Sequence, residues 1–143
     1  MSNVPESQVL QTAEAAFQYF QNGWKNGDFA DFLRLITDDF EFSFPTGEHR
    51  GIFTGKTGRD KMIAKCRDDA ARGARLNLSE PRTMAVDENT VIFEFASDGK
   101  FGDYEYHGRN IVVLEVDGKQ LCGFREYFGD VDPQLFAAEK KDE

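Results

Sequence analysis

The stretch NGDFADFLRLITDDFEFSFPTG, Asn26–Gly47, decides the fold, because the spacing of its apolar residues changes along it. Gly27 ends a preceding helix, and Asp28 predicts the cap of a short second helix. The apolar residues of that helix are Phe29, Phe32, Leu33 and Ile36. Further on, apolar residues stand at every second position: Phe40, Phe42 and Phe44. This alternation predicts a strand with one buried face, which Pro45 ends.

Two longer helices flank this stretch. The first has apolar residues at steps of three and four: Leu10, Ala13, Phe17, Phe20 and Trp24. Pro5 suits its first turn. A glycine-rich loop with room for a short strand, Thr46–Gly58, precedes the third helix, which opens at Thr57 or Gly58 and ends at Gly73. The apolar stripe of the third helix consists of Met62, Ile63, Cys66 and Ala70.

The rest of the chain predicts strands. Their ranges are Arg75–Val86, Thr90–Ala96, Tyr104–Val116 and Gln120–Phe128. Asp117 and Gly118 join the last two in a tight hairpin. Asp132 and Pro133 predict a short terminal helix, and the charged tail, residues 139–143, is expected to be disordered. The order of elements predicts one α+β domain over residues 1–143, with helices packed on one side of an antiparallel sheet.

Charge and hydropathy exclude several classes of function. The net charge of −9 disfavours nucleic acids and anionic membranes, both of which attract basic surfaces. The sequence has no apolar run long enough for a membrane span, and its first residues lack the apolar stretch of a signal peptide. We therefore expect a soluble protein of the cytoplasm.

The sequence is rich in phenylalanine and contains two cysteines. The 14 phenylalanines either build a Phe-rich core or also line a cavity. Cys66 and Cys122 are far apart and show no metal-ligand spacing, so in a reducing compartment we expect two unpaired thiols that behave as small hydrophobes. No motif for a metal, a nucleotide or a nucleophilic serine occurs, and no cofactor is implied.

Two polar side chains fall on apolar strand faces. Asn110 shares its face with Val112 and Leu114, and Glu126 stands between Phe124 and Phe128. Burying an unpaired carboxylate costs several kcal/mol, roughly, so such a residue indicates a polar contact in an aromatic pocket. The alternatives are that an arginine such as Arg109 or Arg125, or a loop, pairs with Glu126, or that the strand end is exposed. If Glu126 is buried, its pKa is expected to be raised.

The order and spacing of three stretches resemble the NTF2-like superfamily, in particular its SnoaL-like and ketosteroid-isomerase-like members. The stretches are Asn26–Gly47, YEYHGRNIVVLEVDGK at Tyr104–Lys119, and GFREYFGD at Gly123–Asp130. The resemblance implies a cone, in which a strongly curved sheet wraps around helices and a deep apolar pocket opens at one end. It also implies homodimers through the outer face of the sheet.

The resemblance carries catalytic positions over only in part. The base of ketosteroid isomerases falls on Phe44, their oxyanion tyrosine on Phe20 and their second aspartate near Asn110, so steroid-type isomerisation is not expected. Proteins similar to limonene-epoxide hydrolase carry an acid in a motif like FREYF, where Glu126 stands. Glu94 is the position that corresponds to their second acid, although a solvated Glu94 fits the strand pattern equally well. Their partner arginine is missing.

These observations lead to one hypothesis and one rival. The hypothesis is a pocket protein for a hydrophobic small molecule, acting as an acid/base isomerase, cyclase or hydrolase, with Glu126 as general acid/base and Asn110 as its hydrogen-bonding partner. The predicted ligand-binding residues are Phe17, Phe20, Trp24, Phe42, Phe44, Glu94, Phe124 and Phe128. The rival is a ligand-binding or dimerisation module without catalysis.

The sequence also predicts a homodimer. Apolar residues remain on the outer face of the last two strands: Ile111, Val113, Leu121 and Tyr127. The helices can cover one face of the sheet only, so the other face requires a cover, which a second copy of the chain would supply.

Overall fold

The structure, a computed structural model, describes residues 6–130. Its helices are α1 (Glu6–Asn26), α2 (Ala30–Leu33) and α3 (Gly55–Ala71). Its strands are β1 (Ile36–Phe44), β2 (Gly51–Phe53), β3 (Ala74–Leu78), β4 (Arg82–Asp87), β5 (Thr90–Phe101), β6 (Tyr104–Asp117) and β7 (Gln120–Asp130). Pro5, the expected terminal helix at Asp132 and Pro133, and the charged tail lie outside the described residues.

All seven of these strands belong to one sheet. The order across it is β2-β1-β7-β6-β5-β3, and β4 also pairs with β5. Neighbouring strands are antiparallel except for β1 and β7, which run parallel and place Phe42 beside Phe124. The sheet is curved and does not close, and the helices pack on one of its faces. This is the α+β cone expected from the sequence.

The inner face of the sheet and the helices share one apolar core. The predicted parity of β1 is confirmed, since Phe40 and Phe42 are fully buried. The parity of β5 is confirmed as well, because Val91, Phe93 and Phe95 are buried against Phe17 and its neighbours. In β1 and β5, the face that the alternation assigned to the interior therefore lies there.

Local chemistry explains most element boundaries. Gly27 ends α1 with a φ of 82°, a left-handed conformation that glycine adopts without steric cost. The N-cap residue of α2 is Phe29 and not Asp28 as predicted, but Asp28, one residue earlier, accepts a hydrogen bond of 2.9 Å at its Oδ1 from the backbone N–H of Ala30. Gly118, with a φ of 62°, turns β6 into β7 at the predicted hairpin.

The structure corrects four details of the sequence-based prediction. Ile36 opens β1 instead of belonging to the second helix, and α3 begins earlier than expected, at Gly55. The range predicted as one strand, Arg75–Val86, is divided into β3 and β4. A register shift between β6 and β7 turns Leu121 into the core, although simple alternation placed it on the outer face. An extra residue in one strand reverses parity, which a pattern of strict alternation cannot show.

The two cysteines do not form a disulfide. Cys66 is buried, Cys122 is half-buried, and both are unpaired. Burial raises the pKa of the Cys66 thiol to about 12, so this residue packs as a small hydrophobe.

Within residues 6–130, no helix combines the length and the apolar character needed to cross a membrane.

Candidate functional site

A cavity of about 360 Å³ lies between α1, α3 and the inner face of the sheet. Much of its wall is aromatic: Phe20, Trp24, Phe44, Phe95, Phe101 and Phe128. Apolar walls of this kind with a few polar groups are typical of small-molecule sites.

The buried polar residues are concentrated in this cavity. Among the described residues, four polar or charged side chains are classed as buried, and all four line it: Lys65, Ser97, Asn110 and Glu126. Each is 6 % exposed or less, so removing it from water carries a free-energy cost that a hydrogen bond or an ion pair must offset. All four therefore meet at one place in the interior.

Three of them form a chain of hydrogen bonds across β5, β6 and β7. Ser97 Oγ donates to Asn110 Oδ1 over 2.7 Å, and Asn110 Nδ2 donates to Glu126 Oε2 over 2.7 Å. The serine hydroxyl therefore holds the amide oxygen, so that the amide N–H points at the carboxyl group. The chain fixes the orientation of Glu126 at the wall of the cavity.

The fourth, Lys65, reaches the cavity from α3. Its Nζ lies 2.6 Å from Asp69 Oδ2, one helical turn further along, and both side chains are largely buried. The ammonium also lies over two aromatic rings, 4.4 Å from the centroid of Phe44 and 5.0 Å from that of Trp24. These contacts stabilise a positive charge inside an apolar cavity.

Burial raises the pKa of the Glu126 carboxyl group, because the charged form loses its hydration. The positive charge of Lys65 and the hydrogen bond from Asn110 act in the opposite direction, and the negative charge of Asp69 adds to the increase. The net direction is upward, as the sequence predicted. Burial therefore favours the protonated form of this carboxyl group, a property of carboxyl groups that act as general acids.

Charged residues of the β1–β2 loop and the end of α3 surround the mouth of the cavity. Glu48 and Arg72 form an exposed ion pair that lowers the pKa of the Glu48 carboxyl group. His49 Nε2 lies 2.9 Å from Asp68 Oδ2, but the contact does not have the angles of a hydrogen bond. The mouth is thus polar and the interior aromatic, an arrangement that suits an amphipathic ligand.

The sequence matches the family model of the SnoaL-like domain over residues 16–124. The chain belongs to the SnoaL-like family. No curated protein matches the sequence. The match spans α1 to β7 and therefore includes most of the residues that line the cavity of this SnoaL-like domain.

Solved structures agree with this SnoaL-like fold. An NTF2-like protein from Anabaena variabilis ATCC 29413 is 31 % identical, with a TM-score of 0.76, and the match covers 92 % of this chain and 96 % of that one. A protein from Jannaschia sp. CCS1, provisionally named a SnoaL-like polyketide cyclase, is 16 % identical with a TM-score of 0.67, covering 98 % and 94 %. An LEH-like epoxide hydrolase from M. tuberculosis is 19 % identical with a TM-score of 0.60, covering 83 % and 84 %.

The SnoaL-like domain brings together most of the residues singled out in the sequence. Asn110 and Glu126 line the cavity, as do four of the aromatic residues expected to bind a ligand: Phe20, Trp24, Phe44 and Phe128. Phe17, Phe42 and Phe124 face the same side of the sheet but lie in the core, below the cavity wall. They support the wall without belonging to it.

The structure corrects the expectation that Glu94 binds a ligand, and it decides against one alternative, the pairing of Glu126 with an arginine. Glu94 is exposed and lies on the outer face of β5, because its neighbours Phe93 and Phe95 take the inner one. The cation near Glu126 is Lys65 of α3 and not an arginine of the sheet. Arg125 instead approaches Glu41 and Glu115 on the outer face, and Arg109 is exposed.

Sequence reasoning missed the residues of α3 and β5 that complete the site. Lys65 and Asp69 were not singled out in the third helix, and Ser97 lies beyond the strand predicted to end at Ala96. One signal was present. Lys65 follows Met62 by three positions and Asp69 follows it by seven, which places both on the apolar side of the helix.

Proposed function

We propose that this SnoaL-like protein is an enzyme that binds a hydrophobic small molecule in the cavity and exchanges a proton with it through Glu126. The observation that carries the proposal is the buried carboxyl group of Glu126 at an aromatic cavity wall, where Asn110 donates a 2.7 Å hydrogen bond to it. Isomerisation, cyclisation and hydrolysis all use such a group as general acid or base.

The environment of Glu126 suits proton transfer in both directions. Its raised pKa favours the protonated form, which can act as an acid, and loss of that proton yields a carboxylate base that Asn110 holds in place. For Asn110, the contact with Glu126 supports a positioning role, since Ser97 holds its amide in the donating orientation. The aromatic residues would bind and orient the apolar part of the substrate.

A ligand-binding or interaction module without catalysis is the rival function. The four buried polar residues line one concave pocket whose wall is largely aromatic, which favours a small molecule over a protein partner. The raised pKa of Glu126 favours chemistry over passive binding, because a binding contact does not require a buried titratable group. We also propose a homodimer through the outer sheet face, where Ile111 is half-buried and Tyr127 is exposed.

The proposal is tested by a screen followed by a turnover assay. Hydrophobic metabolites with carbonyl, hydroxyl or epoxide oxygens are screened for binding by native mass spectrometry, and bound compounds are followed for conversion. We expect Glu126→Gln to bind the ligand but to convert it at least about 100-fold more slowly, the usual contribution of a general acid/base. The matched control is Glu94→Gln, the same change on the outer face of β5. Equal turnover by Glu126→Gln and wild type would remove Glu126 from the reaction.

A further inference from the structure

Another concave surface lies on the helical side of the molecule, between the end of α1, α2 and one face of α3. Its volume is about 610 Å³, and it shares no lining residue with the cavity that contains Glu126. We call it the α2–α3 groove. Leu33 and Arg34 line one side of it, and Arg59, Ile63, Arg67 and Ala70 line the other.

Helix α3 turns different faces to the cavity and to the groove. Lys65 and Asp69, one turn apart, line the cavity, whereas Ile63, Arg67 and Ala70 follow one another at steps of four and three and line the groove. Residues at this spacing lie on one side of a helix. The groove is therefore separate from the site of the proposed chemistry, and it is remote from the outer sheet face through which we propose the homodimer.

The floor of the α2–α3 groove is apolar. Leu33, Ile63 and Ala70 pack against the core with part of their surface and are only partly buried. Phe29, which is buried, completes the floor. Single apolar side chains are common on protein surfaces, but several of them in one concave place gain free energy when a partner removes them from water.

Arginines surround this floor. Arg34 stands on the side of α2, and Arg59 and Arg67 stand on α3, about 12 Å apart along the helix axis. Arg75 lies at one end of the groove, because a Cβ atom at Gly27 would stand 2.5 Å from its Cζ. Four guanidinium groups thus meet around one groove of a chain whose net charge is −9.

The guanidinium groups of the two rims keep N–H donors for a ligand, since each carries five. Arg34 pairs through one nitrogen with Asp31, and both side chains are exposed. Arg59 donates over 3.0 Å to a backbone oxygen of β1 and lies 3.7 Å from Asp38. Arg67 has neither a hydrogen bond nor an ion pair among residues 6–130, so its whole guanidinium can bind a carboxylate through two parallel hydrogen bonds.

We propose that the α2–α3 groove binds a segment of a partner protein that combines apolar side chains with aspartates or glutamates. The apolar side chains cover the floor, and the carboxylates pair with the arginines of both rims. A lipid carries its anionic group at one end, whereas the arginines stand on both rims and along α3. The net charge of −9 disfavours a nucleic acid.

Selection from a displayed library of random peptides tests the proposal without knowledge of the partner. The full chain is immobilised, and the peptides have about ten residues, enough to reach from Arg59 to Arg67 in an extended conformation. We expect the selected peptides to be enriched in aspartate and glutamate together with leucine, isoleucine or phenylalanine. Their affinity should fall by about tenfold or more in Arg67→Glu, because like charges then face each other.

Two further variants make the comparison specific. Arg34→Glu reverses a charge on the opposite rim and should weaken the same peptides by a similar factor. Arg82→Glu is the matched control, the same change at an exposed arginine of β4 that lines neither the groove nor the cavity. It should leave the affinity unchanged. Arg67 is exposed as well, so its substitution leaves the core intact.

Selected peptides without acidic residues, or an affinity that is equal for wild type and Arg67→Glu, would overturn the proposal. Peptides whose binding depends on Arg72, at the mouth of the cavity, and not on Arg67 would do the same. So would an empty selection. In that case, phosphatidylserine vesicles that bind the wild type but not Arg67→Glu would assign the groove to a membrane surface, and a dimer that Arg67→Glu dissociates would assign it to a second copy of the chain.

Discussion

Glu126 lies on the apolar inner face of β7. Phe124 precedes it by two residues on the same face of β7 and is almost fully buried. The carboxyl group keeps one hydrogen bond, from Asn110, in place of its hydration shell. A buried carboxyl group of this kind lowers the stability of the fold once the pH is high enough to ionise it.

The first prediction concerns the pH dependence of stability. Because the folded pKa of Glu126 is raised, the unfolded state ionises first as the pH rises. The contribution of Glu126 to stability is therefore complete below its unfolded pKa, which lies near 4.5, and is lost as the pH rises through the folded value. Glu126→Gln should therefore be the more stable protein at the alkaline end of the range, and the difference should approach about 1.4 kcal/mol for each unit by which the folded pKa exceeds the unfolded one.

The measurement is denaturant unfolding of both proteins from about pH 4 to pH 8. The difference between them should be small at the acidic end and grow with pH. Glu94→Gln, on the exposed side of β5, should give a flat difference. A gain from Glu126→Gln that shrinks with rising pH would mean that Lys65 holds the carboxylate ionised, the opposite of the expected sign.

The second prediction concerns Ser97. Ser97→Ala leaves Asn110 without its hydroxyl donor and frees the amide to turn away from Glu126. We expect a loss of about 1–2 kcal/mol in stability and a further increase in the Glu126 pKa, observed by carboxyl NMR. Ser43→Ala, a half-buried serine of β1 outside the cavity lining, is the matched control. An unchanged Glu126 resonance in Ser97→Ala would show that Asn110 needs no support.

At the scale of elements, α3 lies against the backbone of β1. A Cβ atom at Gly58 would stand 1.8 Å from the backbone oxygen of Phe40, so only glycine permits this approach. We predict that Gly58→Ala lowers the free energy of unfolding by about 1–3 kcal/mol or more, because the backbones of α3 and β1 would have to move apart. Thermal unfolding measures this loss. Gly129→Ala, which would meet no atom within 4 Å, should be neutral or slightly stabilising. Equal unfolding temperatures for the two variants would contradict this packing.

Most helices and strands were predictable from the sequence, but not all pairings of the strands were. The residues that alternate in β1 and β5 specify a buried face by themselves, whereas nothing in β1 specifies β7 as its parallel partner. Asn110 and Glu126 were found because a polar side chain on an apolar strand face is conspicuous. Lys65 was not found, because a long charged side chain on a helix is normally solvated. The burial of Lys65 depends on Trp24 and Phe44, which come from distant segments of the chain.

At the scale of the whole molecule, the outer face of the sheet bears on assembly. Val113 is nearly buried even in one copy, Ile111 is half-buried and Tyr127 is 52 % exposed, while Leu121 has turned into the core. The apolar part of this face is thus smaller than the sequence suggested. The homodimer stays a prediction, and it now depends on Ile111, Tyr127 and their neighbours.

Sedimentation velocity at micromolar concentration should show a dimer. Tyr127→Glu should shift the protein towards the monomer by placing a charge in the centre of the contact. Tyr19→Glu makes the same change at a partly exposed tyrosine of α1, on the helical side, and should leave the dimer intact. A monomeric wild type at these concentrations would contradict the prediction.

The parallel pairing of β1 with β7 has a consequence for biosynthesis. Phe42 leaves the ribosome long before its neighbour Phe124, and until then β1 has only the three-residue strand β2 beside it. The nascent chain must carry an unpaired, phenylalanine-rich edge through most of its translation, which is a template for non-native association. Glu126 lies on β7 as well, so its carboxyl group joins the cavity only after the last strand of the sheet has been synthesised.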